Sequence, residues 1–171
     1  MSSKNLAYSI LAGLMVVSVV QHVWYFPQLP DRVATHFGAD GRPNDWMSRT
    51  GSTLTLAGIQ LGVPLFLAGV TSLARRLPNS MINIPHKEYW LHPDRREASL
   101  AYTGGMLAWI AVMTSVFMIL IGHLTFLANK TGTGLNLVLF TTALGSYLLG
   151  VFAVAGRSVW RFRLPTADRQ V

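Results

Sequence analysis

Three histidines are the side chains of this sequence with the widest range of possible chemistry. His36 lies in a polar stretch, and His22 and His123 lie near the ends of two apolar segments. Imidazole can sense pH and bind metal ions, so the three could form a zinc or copper site, with Asp31 or Asp45 as a carboxylate ligand. None of them has the short spacing of a common metal motif, so three separate segments would have to meet. The alternative is a structural role, in which the His36 ring caps a turn or packs under an aromatic side chain.

Other catalytic chemistry finds no support in the sequence. The chain contains no cysteine, which excludes disulfides, thiol catalysis and cysteine-ligated metals. It has no G-x-S-x-G, H-E-x-x-H or P-loop motif, and the spacing of Asp40 and Asp45 lacks the third-position ligand of an EF-hand. No Asp or Glu lies within an apolar segment, which argues against a proton-coupled transporter. We therefore predict a non-enzymatic protein without a cofactor.

Four long apolar segments must position these side chains. Only 12% of the 171 residues are charged and 51% are hydrophobic, whereas soluble domains average about 25% charged residues. Each segment is long enough to cross a bilayer as a helix, which takes about 20 residues. The sequence therefore predicts a single all-α membrane domain over residues 1–171, an integral four-helix bundle. The predicted spans are residues 6–25, 54–74, 105–127 and 135–155.

The polar stretch between the first two spans is the candidate functional region. Its prolines and its Asp40-Gly41 and Pro43-Asn44-Asp45 turns predict a compact outer loop with one fixed shape. We expect its Asp and Arg side chains to pair locally, and its aromatic side chains to pack against helix ends. Polar loops on rigid scaffolds commonly carry function, so we expect recognition of a ligand, peptide or protein partner here. The candidate recognition residues are Pro30, Asp31, His36, Phe37, Gly41, Asp45 and Trp46.

The cations divide unequally between the two ends of the predicted bundle. Ten of the 14 flank the spans on the side of the termini, and four flank them on the side of the outer loop. The positive-inside rule therefore predicts that both termini are cytoplasmic, with residues 75–104 as a cytoplasmic interfacial segment and residues 158–171 as a cytoplasmic tail. A helix that begins at Asp94 is expected to lie along the interface. Because the cations flank apolar segments, the net charge of +7 does not indicate nucleic-acid binding.

Small residues on two predicted spans indicate where helices approach closely. Such faces allow backbones to pack tightly in membranes, so we predict packing within the bundle or a homo- or hetero-oligomer. Gln60 lies between two of these residues and is expected to serve packing rather than transport. The glycines are Gly58, Gly62 and Gly69 on the second span, and Gly145 and Gly150 on the fourth.

The outer loop resembles the L-P-x-x-V/I-P-x-H-F-N-x-x-G-x-x-D-x-W/Y-x-S-K loop of a bacterial domain of unknown function. The match covers residues 12–55, with Ala34 in place of the usual Pro and Gly38 in place of the usual Asn. Residues 83–97 resemble a segment that accompanies this loop in short relatives. The resemblance is carried by Leu29-Pro30-Asp31-Arg32-Val33-Ala34-Thr35-His36-Phe37, then by Gly41-Arg42-Pro43-Asn44-Asp45-Trp46 and Ser48-Arg49.

The resemblance implies a role, which the residues alone do not. The domain occurs in small multi-pass membrane proteins, and its best-known members resemble immunity proteins that protect a cell from a sporulation-delaying peptide toxin. It implies a bacterial inner-membrane protein, surrounded by the lipid bilayer, that acts in toxin immunity or envelope signalling. Two alternatives stay open. One is a small accessory subunit of a larger membrane complex, and the other is a metal-dependent membrane enzyme or transporter that uses the outer histidines.

Overall fold

Helices and one β-hairpin make up the part of the chain that the structure describes. The computed structural model describes residues 3–165. In chain order the elements are α1 (Ser3–Tyr25), β1 (Arg32–Phe37), β2 (Pro43–Ser48), α2 (Arg49–Ala74), α3 (Lys87–Trp90), α4 (Pro93–Thr131) and α5 (Leu137–Arg161), with short 3-10 turns at Phe26–Gln28 and Asn79–Met81.

Four of the helices, α1, α2, α4 and α5, are long and apolar enough to cross a membrane. They coincide with the four predicted spans, so the prediction of a mostly helical, multi-pass membrane protein is confirmed. Successive long helices run in opposite directions. The start of α1 and the end of α5 therefore share one end of the bundle, the termini end, and the β-hairpin lies at the other, the hairpin end.

Helix α4 is the centre of the bundle, since α1, α2 and α5 each pack against it. The core in the half of the bundle near the termini end consists of small and medium apolar side chains, and the short ones let α1 and α2 approach α4 closely. No residue of α5 is buried, because this helix lies at the periphery. The buried core residues are Ala7, Leu11, Ala68, Ala108, Ala111 and Val112.

The prediction that Gly58, Gly62 and Gly69 pack against a neighbouring helix within the bundle is wrong. A Cβ atom placed on any of them would meet nothing within 4 Å. The opposite face of α2 points inward instead, because Gln60 needs hydrogen-bond partners that lipid cannot supply. Gly58 and Gly62 lie two residues to either side of Gln60, roughly 200° around the helix, and so face outward. Oligomerisation through this face stays a prediction.

The two glycines of α5 differ from each other. A Cβ atom on Gly150 would lie 3.1 Å from the Met113 sulfur, so Gly150 does mark a close approach of α5 to α4. A Cβ atom on Gly145 would meet nothing within 4 Å, so Gly145 faces away from the bundle. Gly150 thus lies where α5 approaches α4, and Gly145 does not.

Residues 75–104 form a folded cap at the termini end. Ile82, Leu91 and Leu100 bury a small apolar cluster, and Arg96 donates hydrogen bonds to Asn79 Oδ1 and to the Leu77 carbonyl, both at 2.9 Å. The predicted interfacial helix at Asp94 is not a separate element, because α4 is continuous through all of its 39 residues. At 1.5 Å per residue it is about 58 Å long, so it projects beyond a hydrocarbon layer of about 30 Å.

The predicted tail over residues 158–171 begins too early. Helix α5 continues to Arg161, and Phe162 is buried with 1% of its surface exposed. Its ring meets the rings of Trp90 and Tyr102 edge to face, and Trp90 donates a hydrogen bond to its carbonyl at 2.8 Å. The rest of the predicted tail, residues 166–171, lies outside the described residues.

Candidate recognition surface at the hairpin end

The outer loop is a two-stranded antiparallel hairpin, so the all-α prediction is wrong for this segment. Strand β1 pairs with β2 from Arg32↔Ser48 to Phe37↔Pro43. Two compensating irregularities leave one residue of each strand, Thr35 and Asn44, without a partner in the pairing. An isolated two-stranded hairpin is only marginally stable in water, so this one depends on contacts with the helices.

One of the two predicted turns is confirmed. Residues 38–42 connect the strands, with Gly41 at a φ of +77°; the Gly41 N–H donates to the Gly38 carbonyl and the Arg42 N–H to Asp40 Oδ1. The predicted turn at Pro43-Asn44-Asp45 is wrong, since these residues begin β2. Cross-strand pairing requires them to be extended, and that pairing is invisible in the local composition.

Asn129 of α4 forms hydrogen bonds with the backbone of the hairpin. Its Oδ1 accepts a hydrogen bond from the Ala34 N–H at 2.6 Å, and its Nδ2 donates to the Ala34 carbonyl at 2.9 Å. The same Nδ2 also donates to the Thr125 carbonyl one turn back along α4. Asn129 therefore satisfies both backbone groups of Ala34, which is buried. Sequence reasoning missed this role because an Asn near a helix end is typical of a helix terminus.

The tip of the hairpin contacts the connection between α4 and α5. The Leu135 N–H donates to the Gly41 carbonyl at 2.9 Å. A Cβ atom on Gly41 would lie 2.7 Å from the Leu135 carbonyl oxygen, and one on Gly134 would lie 2.7 Å from the Gly41 carbonyl oxygen. Both glycines have positive φ, which other residues rarely adopt. Gly41, a candidate recognition residue, is thus buried and has a structural role.

The base of the hairpin is closed by Asp31 and Arg49. The Arg49 guanidinium donates to Asp31 Oδ1 at 2.6 Å, and the Arg49 N–H donates to the Asp31 carbonyl at 2.9 Å. At the tip, Arg42 lies 3.6 Å from Asp40. Local pairing of Asp with Arg is confirmed for these two pairs. Asp31 therefore helps to close the hairpin, while its side chain stays 95% exposed. Pro30 is exposed beside it.

The apolar support under the hairpin differs from the prediction. Leu29, Val33 and Phe126 are each at most 3% exposed and form a cluster with Tyr25 and Leu56. Trp46, which was expected to pack against the helix ends, is 44% exposed, and Phe37 is only half-buried. The support therefore comes from β1 and the segment before it, and β2 contributes no buried side chain.

The exposed part of the hairpin combines aromatic, charged and polar side chains. The Arg32 guanidinium lies 6.0 Å from the centre of the Trp46 ring, at the limit of a cation–π contact. His36 Nδ1 forms a hydrogen bond with Asn44 Oδ1 on the other strand of the hairpin. Asp45 Oδ1 accepts from the Trp46 N–H. We call the exposed set Arg32, His36, Asp45, Trp46 and Met47 the hairpin surface.

The three histidines do not converge on a metal site. His36 bonds Asn44, His22 Nδ1 lies 2.8 Å from the Ser18 carbonyl oxygen, and His123 Nδ1 lies 2.9 Å from the Tyr25 hydroxyl. Within residues 3–165, no group of three or more His, Cys, Asp or Glu side chains lies close enough to hold an ion.

A buried polar layer joins α1, α2 and α4 beneath the hairpin. The Ser18 hydroxyl donates to Gln60 Oε1 at 2.7 Å, and Gln60 Nε2 donates to the Met118 carbonyl at 2.7 Å. Gln21 Nε2 donates to the Ile119 carbonyl at 2.9 Å. The packing role predicted for Gln60 is thus seen, and Gln21 bonds a neighbouring helix.

Gly122 is the glycine that makes this polar layer possible. A Cβ atom on Gly122 would collide with the amide nitrogen of Gln60 and lie 3.2 Å from Gln21 Oε1. Only a residue without a side chain leaves room for both amides. Nothing in the sequence marks Gly122 for this role, because it is an isolated glycine outside any small-residue repeat.

A cavity of about 420 Å³ opens between α1 and the start of α2 at the hairpin end. His22 and Thr53 line it together with Val23, Phe26 and Leu54. His22 is 6% exposed, and its Nε2 atom, like Thr53 Oγ1, has no hydrogen-bond partner among the described residues. Because the Ser18 carbonyl can only accept, Nδ1 carries the proton and Nε2 is an acceptor in the neutral ring.

Comparison with known proteins places one segment of the chain in context. Residues 13–61 match the model of a family described as a domain of unknown function, DUF1648. This segment comprises the second half of α1, the hairpin and the first half of α2, so the predicted resemblance to such a domain is confirmed there. No curated protein and no solved structure matches the chain.

Proposed function

We propose that this chain is a non-enzymatic protein of the bacterial inner membrane, whose hairpin surface faces outward and recognises a peptide or protein partner. Toxin immunity or envelope signalling is the role that the loop pattern implies. Both termini would then face the cytoplasm, since ten of the 14 cations in the sequence flank the predicted spans on the side of the termini.

One observation carries this proposal: the hairpin is fixed on one side and exposed on the other. Asn129 satisfies the Ala34 backbone from α4, and Leu135 bonds the Gly41 carbonyl from the α4–α5 connection. A segment held in this way loses little conformational entropy on binding. Its exposed side includes Trp46, and tryptophan and arginine are the residues most enriched at binding hot spots.

The proposal is tested by site-specific photocrosslinking in intact cells. A photoreactive amino acid replaces Trp46 on the hairpin surface or, as the control, Leu149, which is 73% exposed on the apolar α5. We expect a discrete crosslinked product from position 46 only, and its loss when His36→Ala is added. Equal products from both positions, or none from position 46, would contradict recognition by the hairpin.

The accessory-subunit alternative is favoured by a different observation. Gly58, Gly62 and Gly69 form an exposed face on α2 that meets nothing within the described chain, and such a face permits close approach of another membrane helix. Gly62→Leu should then dissociate a complex in mild detergent without unfolding the chain. If the Gly62→Leu protein assembles as the wild type does, the glycine face of α2 contacts lipid and not a partner helix.

A further inference from the structure

We propose that the termini end binds one anionic phospholipid, with its phosphate between Lys4 and Arg157 and its acyl chains in the groove between α4 and α5. This inference is independent of the hairpin surface, which lies at the opposite end of the bundle.

The phosphate site is a cavity of about 450 Å³ where the start of α1 meets α4 and the end of α5. Lys4 and Arg157 both line it, although more than 150 residues separate them in the sequence. Tyr102 and Trp109 form its aromatic wall. Folding therefore brings two cations to one amphipathic cavity, which is the arrangement that an anionic headgroup requires.

Neither cation has a carboxylate partner within residues 3–165. The ion pairs there involve other residues, and no Asp or Glu of that range lines the cavity. The Lys4 ammonium lies 5.5 Å from the Tyr8 ring centre. Arg161, one turn after Arg157, lies 4.7 Å from the Trp90 ring centre and 5.7 Å from that of Tyr102. The positive potential at the cavity thus has no opposite charge beside it in the described chain.

A hydroxyl group completes the polar edge of the cavity. Ser3 lines it, and its Oγ accepts a hydrogen bond from Trp109 Nε1 at 2.9 Å. Because that bond uses an acceptor site of the hydroxyl, the Ser3 O–H proton is available to a phosphate oxygen. The same bond ties the first turn of α1 to α4, which holds Lys4 at the cavity.

An apolar groove lies next to the cavity, on the side toward the hairpin end. Trp109 lines both the cavity and a groove of about 510 Å³ between α4 and α5. The groove walls include Val116 and Leu120 of α4 and Leu139 of α5. The charged site lies at the end of the bundle, and the apolar groove runs from there along the helices. A phospholipid in a bilayer has the same arrangement, with its headgroup at the surface and its acyl chains along the helices.

The two cations and the apolar groove together favour an anionic phospholipid over other ligands. A small free anion would use the cations but not the groove, and a zwitterionic lipid would use the groove but gain little from two unpaired cations. Basic residues at a membrane surface favour anionic lipids by about 1 kcal/mol each, which corresponds to roughly fivefold per cation. Two cations therefore predict a preference of at least about tenfold for an anionic lipid.

Native mass spectrometry of the full-length protein measures this preference directly. The protein is released from detergent micelles that contain equal amounts of phosphatidylglycerol and phosphatidylcholine with identical acyl chains. We expect retained phosphatidylglycerol to exceed phosphatidylcholine by at least about tenfold, and Lys4→Gln/Arg157→Gln to reduce the ratio to near one. The matched control, Arg76→Gln/Arg163→Gln, removes two exposed cations of the same end that do not line the cavity and should keep the preference.

A second variant tests the cavity without changing charge. Gly105 lines the cavity, and a Cβ atom there would meet nothing within 4 Å. Gly105→Leu raises helix propensity, so the fold is preserved while the new side chain occupies the lipid's place. We expect it to abolish retention of phosphatidylglycerol.

Three results would overturn the proposal. The first is an equal loss of preference in the control variant, which would mean that only net charge matters. The second is unchanged retention in Gly105→Leu. The third is complete displacement of the lipid by millimolar inorganic phosphate, which would identify a simple anion site in which the groove has no part.

Discussion

Asn129, near the end of α4, binds Ala34 of the hairpin by both its backbone N–H and its carbonyl. A side-chain amide here takes the place of a neighbouring strand, because it offers one donor and one acceptor to a strand edge. These hydrogen bonds connect the segment that matches the domain of unknown function, residues 13–61, to α4, which lies outside that segment. The hairpin's shape is thus partly specified by α4.

Replacing Asn129 by Leu should release the hairpin while leaving the bundle folded. Two buried backbone groups of Ala34 would lose their partners, which costs about 2–4 kcal/mol in free energy of unfolding for the hairpin. Amide hydrogen exchange should accelerate across residues 32–48 and stay slow in α1 and α4. Lys130→Gln is the control, since the Lys130 side chain makes an exposed bond to Gln28. Unchanged exchange in Asn129→Leu would contradict the clamp.

Val33 should contribute more to the stability of the hairpin than Trp46 does, although Trp46 has the larger apolar side chain. Val33 is 1% exposed above Phe126, so Val33→Ala should cost about 2 kcal/mol through two lost methyl groups and the cavity they leave. Trp46→Ser should leave hairpin exchange nearly unchanged, because the ring is 44% exposed. It should abolish partner crosslinking from a photoreactive amino acid placed at the neighbouring exposed position, Met47. Loss of order in Trp46→Ser, with Val33→Ala unaffected, would show that the hairpin is supported by β2 instead.

Gly122 and Gln60 should be strongly coupled. Gly122→Ala forces a methyl group into the Gln60 amide, and overpacking of this kind costs about 1–3 kcal/mol. Unfolding in a double-mutant cycle should show that Gln60→Ala relieves most of that cost, with a coupling energy of at least about 1 kcal/mol. Gly62→Ala, on the outward face of α2, serves as the comparison and should be neutral. Additive effects of the Gly122 and Gln60 substitutions would rule out their contact.

The orientation in the membrane should follow the cations. A reporter fused after Val171 is expected to be active in the cytoplasm, and one inserted at Asp40 is expected to be active in the periplasm. Removing cations at the termini end, for example Arg75→Gln/Arg76→Gln, should raise the fraction of inverted molecules, whereas Arg42→Gln should not. Cytoplasmic labelling at Asp40 would reverse the orientation and exclude recognition from outside.

Removing the imidazole of His36 should separate recognition from folding. The side chain is exposed and its bond is to Asn44, another exposed residue. His36→Ala should therefore keep the melting temperature and hairpin exchange of the wild type and reduce crosslinking from position 46. Asn44→Ala is a useful companion variant, because it frees the ring without removing it. Unfolding of the hairpin in His36→Ala would assign the histidine a structural role.

Some features of this protein follow from the sequence alone because they depend on local composition. A run of about 20 uncharged residues is sufficient to predict a span, and all four spans were located. The Asp40-Gly41 turn was also predictable, since it needs a residue that tolerates positive φ. The Asp–Arg pairs followed from opposite charges in a short polar loop.

Only the tertiary structure decided which faces of the helices and which residues of the loop point inward. In a membrane, lipid-facing and core-facing positions are both apolar, so hydrophobicity does not give the rotation of α2. Gln60 gives it, through hydrogen bonds to α1 and α4. The hairpin likewise depends on Asn129 and Leu135, which lie some 95 residues after the strand and turn that they hold. Long-range hydrogen bonds of this kind leave no periodic pattern in the sequence, because each depends on a single distant side chain or backbone group.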